Sequence, residues 1–371
     1  MVGSLYIHIP FCLRKCPYCD FFSIPYDKDI EGRYIDALMR ELMLRKDAIG
    51  TINTIFIGGG TPTVFDASSI SRLLEFIVNN FGIDSDAEIT LEANPSSVDG
   101  EKLRVLRDSG VNRISVGVQS FDDAELQSLG RLHNSATAVK ALSIIKRYFA
   151  NFSLDLIYGL EGQVVKGWIK TVRTAISFSP PHISAYELTP EAGTPLGRRV
   201  SRGETVIPHE DAIAIMYGAA AEMFANAGLN HYEISNFAAP GFQCRHNQNY
   251  WRRGLYAGIG AGAHSHLNMH GGTVRSSNAS DLTQYLTAIE NNSLPVHETT
   301  IINTLEALKE YVFLGLRTSD GISLKEAGID SPGLTKLIEN GLAEFNGAKF
   351  RLTRDGFLVS NMIIGQIIDQ L

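Results

Sequence analysis

Cys12-Leu13-Arg14-Lys15-Cys16-Pro17-Tyr18-Cys19 is the stretch on which the reading of this chain turns. It sets three thiols in CxxxCxxC spacing directly after a short β-branched, apolar run, residues 5–9. Pro10 ends that run as a strand, because proline has no N–H for the ladder. The thiols therefore fall on a loop at the carboxyl end of a first strand.

Clustered thiolates are soft ligands, suited to zinc or to an iron–sulfur cluster. Structural zinc sites close with four ligands, commonly two CxxC knuckles or a distant Cys/His pair. Here one compact triad stands alone, with no fourth partner at knuckle spacing. That favours a 4Fe–4S cluster on Cys12, Cys16 and Cys19 over zinc or a chance grouping of buried thiols. A cluster held by three cysteines leaves one iron open to a chelating small molecule, and the amino and carboxylate groups of S-adenosylmethionine (SAM) suit that position. The spacing, with an aromatic residue before the last cysteine, resembles the signature of the radical SAM superfamily.

Outward from the thiols, the 371 residues suffice for one large domain and a smaller one. A hydrophobic fraction of 44% and a charged fraction of 20% are ordinary for a globular protein. The net charge of −7 and a pI near 5.8 argue against nucleic acid as a partner. Four cysteines, three of them bunched, make no disulfide framework and suit a reducing compartment. The first residues carry no cleavable signal pattern, and no apolar run approaches the roughly 20 residues of a membrane helix. We expect a cytoplasmic chain that meets a membrane only peripherally, through partners.

Up to about residue 190, β-rich runs at 5–9, 54–57, 88–91, 113–118, 152–157 and 182–186 alternate with stretches of helical spacing such as Tyr34, Leu38 and Leu42. Six alternations predict an α/β fold, a partial (β/α)6 barrel of parallel strands, with chemistry at the carboxyl strand ends. Gly58-Gly59-Gly60-Thr61-Pro62 follows the second strand and is either a backbone cradle or a tight turn. Glu92 ends the third strand, where a carboxylate needs a partner such as a ribose hydroxyl or an ammonium group. Gln119 ends the fourth, followed by Arg131 and His133, and Asp155 sits in the fifth, where a buried salt bridge is the competing reading.

Residues 191–300 read as a barrel extension and linker: a loop with Arg198, Arg199 and Arg202, a helix from 210 to 227 ending at Gly228, a strand over 232–237, then Cys244 and His246-Asn247-Gln248-Asn249-Tyr250-Trp251. The small residues of 258–265 suit backbone lying against a large flat ligand, and His264 and Cys244 are secondary ligand candidates, Cys244 fitting better as a small buried residue. Residues 301–371 form a smaller α+β C-terminal domain, read as three helices and a hairpin turning at Asn346-Gly347 in a winged-helix-like order. Its acidic residues outnumber its basic ones, nine to seven from Asn303 on, which suits packing or protein contact rather than DNA.

YIHIPFC, CPYCDF, GGGTPT, LEANP, GVQSF, GRLH, DLIYGL and HNQNYW, in this order, resemble the oxygen-independent coproporphyrinogen dehydrogenase family, and more narrowly its HemW-type branch of radical SAM heme chaperones. The resemblance implies that Cys12, Cys16 and Cys19 hold the cluster, and that Tyr6, Gly59, Gly60, Thr61 and Glu92 contact a first SAM. It implies that Gln119, Arg131 and Asp155, with Tyr18 and Ala185, surround a second. It also implies heme as a bound group, since His246 and Tyr250 match the HNxxY motif of the chaperone branch. An imidazole or a tyrosine oxygen can ligate heme iron, and on a helix the two would share a face. The dehydrogenase carries a further cysteine where this chain has Phe21, and a long arm ahead of its thiols where this chain has eleven residues. The reading is thus a carrier that takes heme from a donor and hands it to respiratory hemoproteins, with a homodimer allowed. The alternative is a dehydrogenase that decarboxylates a porphyrinogen, and the plainest reading is a structural iron–sulfur protein.

Overall fold

The structure, a computed structural model, describes residues 1–269, 272–329 and 331–371. Its six parallel strands are β1 (Val2–Ile9), β2 (Ile49–Gly59), β3 (Ile83–Ala93), β4 (Arg113–Gln119), β5 (Phe152–Tyr158) and β6 (His182–Glu187). Each contains a run read from the sequence. Ile7, Ile55, Leu91, Val116, Leu154 and Ile183 pack into the main core beneath the helices, as β-branched and apolar side chains do on a pleated, covered face. The alternate positions are polar, small or aromatic, and the period of two sends them to the opposite face, the lumen of the open barrel.

The sheet does not end at residue 190. Two later strands, β7 (Asn230–Glu233) and β8 (Asn236–Ala238), form a hairpin that pairs antiparallel with β6, and β9 (Ala257–Ile259) pairs parallel with β1. The order is β9-β1-β2-β3-β4-β5-β6-β8-β7. The single strand expected over 232–237 is therefore two, because the chain turns where Glu233 accepts the Ser235 N–H (3.2 Å) and the Ile234 N–H goes to Arg317 (2.9 Å). Within the 258–265 stretch a Cβ on Gly258 would fall 1.9 Å from the His264 carbonyl oxygen, so at this position the missing side chain accommodates the chain itself. Arg198 and Arg199, expected in a loop, lie in a helix, Pro195–Ser201, because Thr194 caps it and Pro195 suits its first position.

A buried charge fastens the β9 edge. Glu41, fully buried on the Lys28–Leu44 helix, accepts from Arg45 Nε (2.9 Å), Asn278 Nδ2 (2.8 Å), the Gly260 N–H (2.8 Å) and the Tyr285 hydroxyl (2.9 Å). Every lone pair direction is used, as a buried carboxylate requires. An antiparallel sheet of β10 (His264–Met269), β11 (Gly272–Asn278) and β12 (Val296–Ile302) follows. The C-terminal unit opens on a capping box, Asn303 with Glu306, and has the expected hairpin, with Gly347 at φ +61°. Two helices beyond the hairpin, Arg354–Leu358 and Ser360–Ile368, were not anticipated. No helix among the described residues is long and apolar enough to cross a membrane.

Candidate functional site

The thiols lie beyond the end of β1. Cys12 is held by a two-residue parallel pair with Ile24–Pro25, and the Cys19 N–H donates to the Cys16 carbonyl (3.1 Å), closing a tight turn. All three line one bay with Gly59, Gly60, Thr61 and Arg131. Cys12 Sγ is 3.6 Å from Thr61 Oγ1, and Arg131 Nη1 is 3.8 Å from Cys16 Sγ. Among the described residues no three His, Cys, Asp or Glu side chains converge as one metal ion would need. Three separate thiolates suit a cluster, in which each reaches a different iron. Burial pushes the Cys12 and Cys19 thiols above their ordinary range, so loading iron must expel protons.

The bay opens into a cavity of about 600 Å³ lined by Tyr18, Gly59, Gly60, Thr61, Glu92, Gln119, Arg131 and Asp155. Eight of the residues expected at SAM thus meet in one place. The registers Glu92↔Ser115 and Gly117↔Asp155 explain it: side chains two apart on neighbouring strands share the lumen face. Gly58 and Gly59 have no room for a side chain, since a Cβ would fall 2.8 Å from the Glu92 carboxylate and 2.5 Å from the His8 ring respectively. Gly59 also sits at φ +113°, which only glycine adopts without strain. At Gly58 and Gly59 the backbone thus admits the Glu92 carboxylate and the His8 ring at close range.

Polar atoms in this cavity lack partners. Glu92 accepts one hydrogen bond, from the Gly59 N–H (3.0 Å). Gln119, at φ +66° on an irregular strand end, buries its Oε1 with no partner, as does Arg131 its Nε. Asp155 accepts from the Ser115 hydroxyl (3.2 and 3.1 Å) and has no ion pair, so the buried salt bridge is not found. Burial, reinforced by the Asp155 charge, pushes the Glu92 carboxyl up to about 8, against the Gly59 N–H and Arg113. Burial likewise raises Asp155. Unsatisfied donors and acceptors beside two carboxyl groups fit a cationic, hydroxyl-bearing ligand such as SAM.

Two expected residues lie off the cavity wall. Tyr6 is below it, stacked on Phe56 (6.3 Å) and donating its hydroxyl to His8 Nδ1 (2.8 Å), while His8 Nε2–H donates to the Phe22 carbonyl (3.0 Å). Ala185 turns its methyl to the helix-facing core, and its N–H donates to Ser235 (2.8 Å). From β6, Tyr186 and Glu187 reach the cavity, and neither was among the expected site residues. Ser115 and Phe21, the latter exposed, also line or support it. Period-two counting from Gly117 would have found Ser115.

His246 and Tyr250 are at the other end of the lumen. The Arg245–Trp251 helix is formed as expected, and the pair shares a face, His246 Nε2 lying 2.8 Å from the Tyr250 hydroxyl. Glu88 caps this helix from β3, accepting from the Arg245 (3.0 Å) and His246 (3.1 Å) N–H groups. His246 is fully buried, its Nδ1 is 2.8 Å from Thr54 Oγ1, and it stacks on Phe56 (5.3 Å). Burial lowers it to about 3, so the imidazole is neutral. Both ring nitrogens are occupied by side chains. Cys244 is buried, donating to Glu88 (3.5 Å), as the bland reading had it.

The Radical SAM superfamily profile matches residues 6–175, and the HemN C-terminal domain profile matches residues 302–359. The heme chaperone HemW of Bacillus subtilis is 35% identical over 99% of this chain and 100% of its own length. The heme chaperone HemW of Haemophilus influenzae is 43% identical over 73% of this chain and 72% of its own. Mouse radical S-adenosyl methionine domain-containing protein 1, mitochondrial, is 32% identical over 100% of this chain and 88% of its own. Among solved structures, coproporphyrinogen III oxidase (HemN) of Escherichia coli superposes with a TM-score of 0.84 at 21% identity, over 99% of this chain and 90% of that one.

Proposed function

The chain belongs to the HemW family of radical SAM proteins, and from that membership we propose that it is a heme chaperone, binding heme and passing it to respiratory hemoproteins. The observation that carries the reading is full-length similarity to relatives named as heme chaperones, together with an HNQNY helix whose His and Tyr share one face. Cys12, Cys16 and Cys19 would hold the 4Fe–4S cluster, and Glu92, Gln119, Asp155 and the Gly59–Thr61 backbone would hold SAM. When bound, the cluster supplies one electron at a time and an open iron for SAM. The chain's own residues position these groups: Gly58 and Gly59 let the Glu92 carboxylate approach the backbone, and Asp155 stays oriented by Ser115.

Heme ligation by His246 and Tyr250 is the finer part of the proposal. It requires the Thr54–His246–Tyr250 hydrogen bonds to open, so heme capture would shift the Arg245–Trp251 helix away from β2. Phe21 in place of a cysteine weighs against dehydrogenase chemistry, and coproporphyrinogen decarboxylation is not expected. The likeness to HemN at 21% identity is one of fold alone.

The test is an anaerobic heme titration of the cluster-loaded protein, wild type and His246→Ala, followed in the Soret band. One saturable site that weakens strongly in the variant supports the proposal. Equal, weak and unsaturable binding in both removes it.

A further inference from the structure

We propose that Arg131 sets the reduction potential of the cluster by donating a guanidinium hydrogen bond to the Cys16 thiolate, held in place by a helix terminus docked on Pro17; this rests on the cluster reading above.

The Asp123–Ser128 helix ends at Leu129, with Gly130 next at φ +68°. The Gly130 N–H donates to Gln127 (2.9 Å) and the Arg131 N–H to Leu126 (2.9 Å), the paired bonds of a Schellman motif. Glycine is needed there twice over. A Cβ on Gly130 would lie 2.8 Å from Pro17 Cδ, so its absence lets the helix end rest on the residue next to Cys16. On the other side of that corner, the Leu196 N–H donates to the Pro17 carbonyl (2.9 Å). The Cys16-Pro17 turn is thus held between two elements.

Arg131 leaves the motif toward the thiols. Its Nη2 donates to the Gly117 carbonyl (2.8 Å), which fixes the plane of the guanidinium, and its Nη1 then lies 3.8 Å from Cys16 Sγ. The guanidinium fork is planar and rigid, with its donors in fixed directions. The corresponding partner of Cys12 is the neutral Thr61 hydroxyl. A cationic donor on a ligating sulfur stabilises the more negative, reduced cluster and so raises its potential. Arg131 is a positioning and tuning residue here, in addition to any contact with SAM.

The experiment uses the full chain with its cluster reconstituted anaerobically and no SAM present. An EPR-monitored redox titration of Arg131→Gln should give a midpoint shifted to more negative potential, with Arg131→Lys in between. A fully loaded Arg131→Gln protein with the wild-type midpoint overturns the proposal. A second readout needs no variant to load: pulsed EPR of the reduced wild-type cluster, with arginine selectively ¹⁵N-labelled, should show a nitrogen coupling. Its absence in loaded wild type also overturns the proposal. Failure of wild type to take up iron, measured separately, refutes the cluster reading instead.

Discussion

With Glu92 as the SAM contact proposed above, SAM affinity should depend on pH. In the ligand-free cavity burial and the neighbouring Asp155 hold its carboxyl at about 8, with Arg113 and the Gly59 N–H acting the other way. Tyr6 lies near it, and burial, reinforced by the Glu92 charge, keeps the Tyr6 hydroxyl protonated. A ligand offering an ammonium group or ribose hydroxyls binds the ionised carboxylate. The competent fraction is then about one in ten at pH 7 and about one in a hundred at pH 6, and apparent affinity falls in that proportion. Affinity should therefore rise about tenfold per pH unit, about 1.4 kcal/mol, up to pH 8 and level off above it. One proton should leave on binding well below pH 8, and none well above it. The same shift makes the ligand-free fold lose stability as the pH climbs from about 4.3 toward 8, because the unfolded carboxyl gives up its proton earlier. Calorimetric SAM titrations of cluster-loaded protein from pH 6 to 9, in buffers of different ionisation enthalpy, measure slope and proton count together. Glu92→Gln should be flat with pH and weaker at pH 8 by about 10- to 100-fold, the loss of a charged hydrogen bond. An unchanged slope in Glu92→Gln would refute the assignment of the titrating group.

Gly59→Ala puts a Cβ 2.5 Å from the His8 ring at φ +113°; the strain of about 1–3 kcal/mol should displace the loop and weaken SAM binding at least about tenfold, while iron content stays at the wild-type level. Equal SAM affinity in both proteins would show the loop to be tolerant. Glu41→Ala leaves Arg45 buried without its partner and should cost about 3–5 kcal/mol, read as a lowered urea midpoint; a loss under about 1 kcal/mol would mean that water reaches the site.

The six strands and the thiol loop were legible because their signals are local. A period-two apolar pattern, a proline stop and a three-cysteine spacing each lie within about ten residues, and the first step from them to parallel topology is a rule about connections. The lumen residues were legible to the extent that they close a strand: Glu92, Gln119 and Asp155 stand out as polar groups in apolar runs. Legible before the fold was known were thus the strand set, the three clustered thiols and the polar groups in apolar strands.

Tertiary structure decided which face each side chain takes and which distant segments complete the sheet. Ala185 and Tyr186 are neighbours in sequence, and register alone sends the first to the helices and the second to the cavity. The entry of β9 beside β1 (Leu5 with Ala257) and the burial of His246 against Thr54 join residues 252 and 192 positions apart, and the hairpin at the opposite edge joins Asn236 to Ser184, 52 apart. No local propensity encodes such pairings, because their energy comes from satisfying buried groups, Glu41 and Glu88 above all, with partners the chain brings together only when folded.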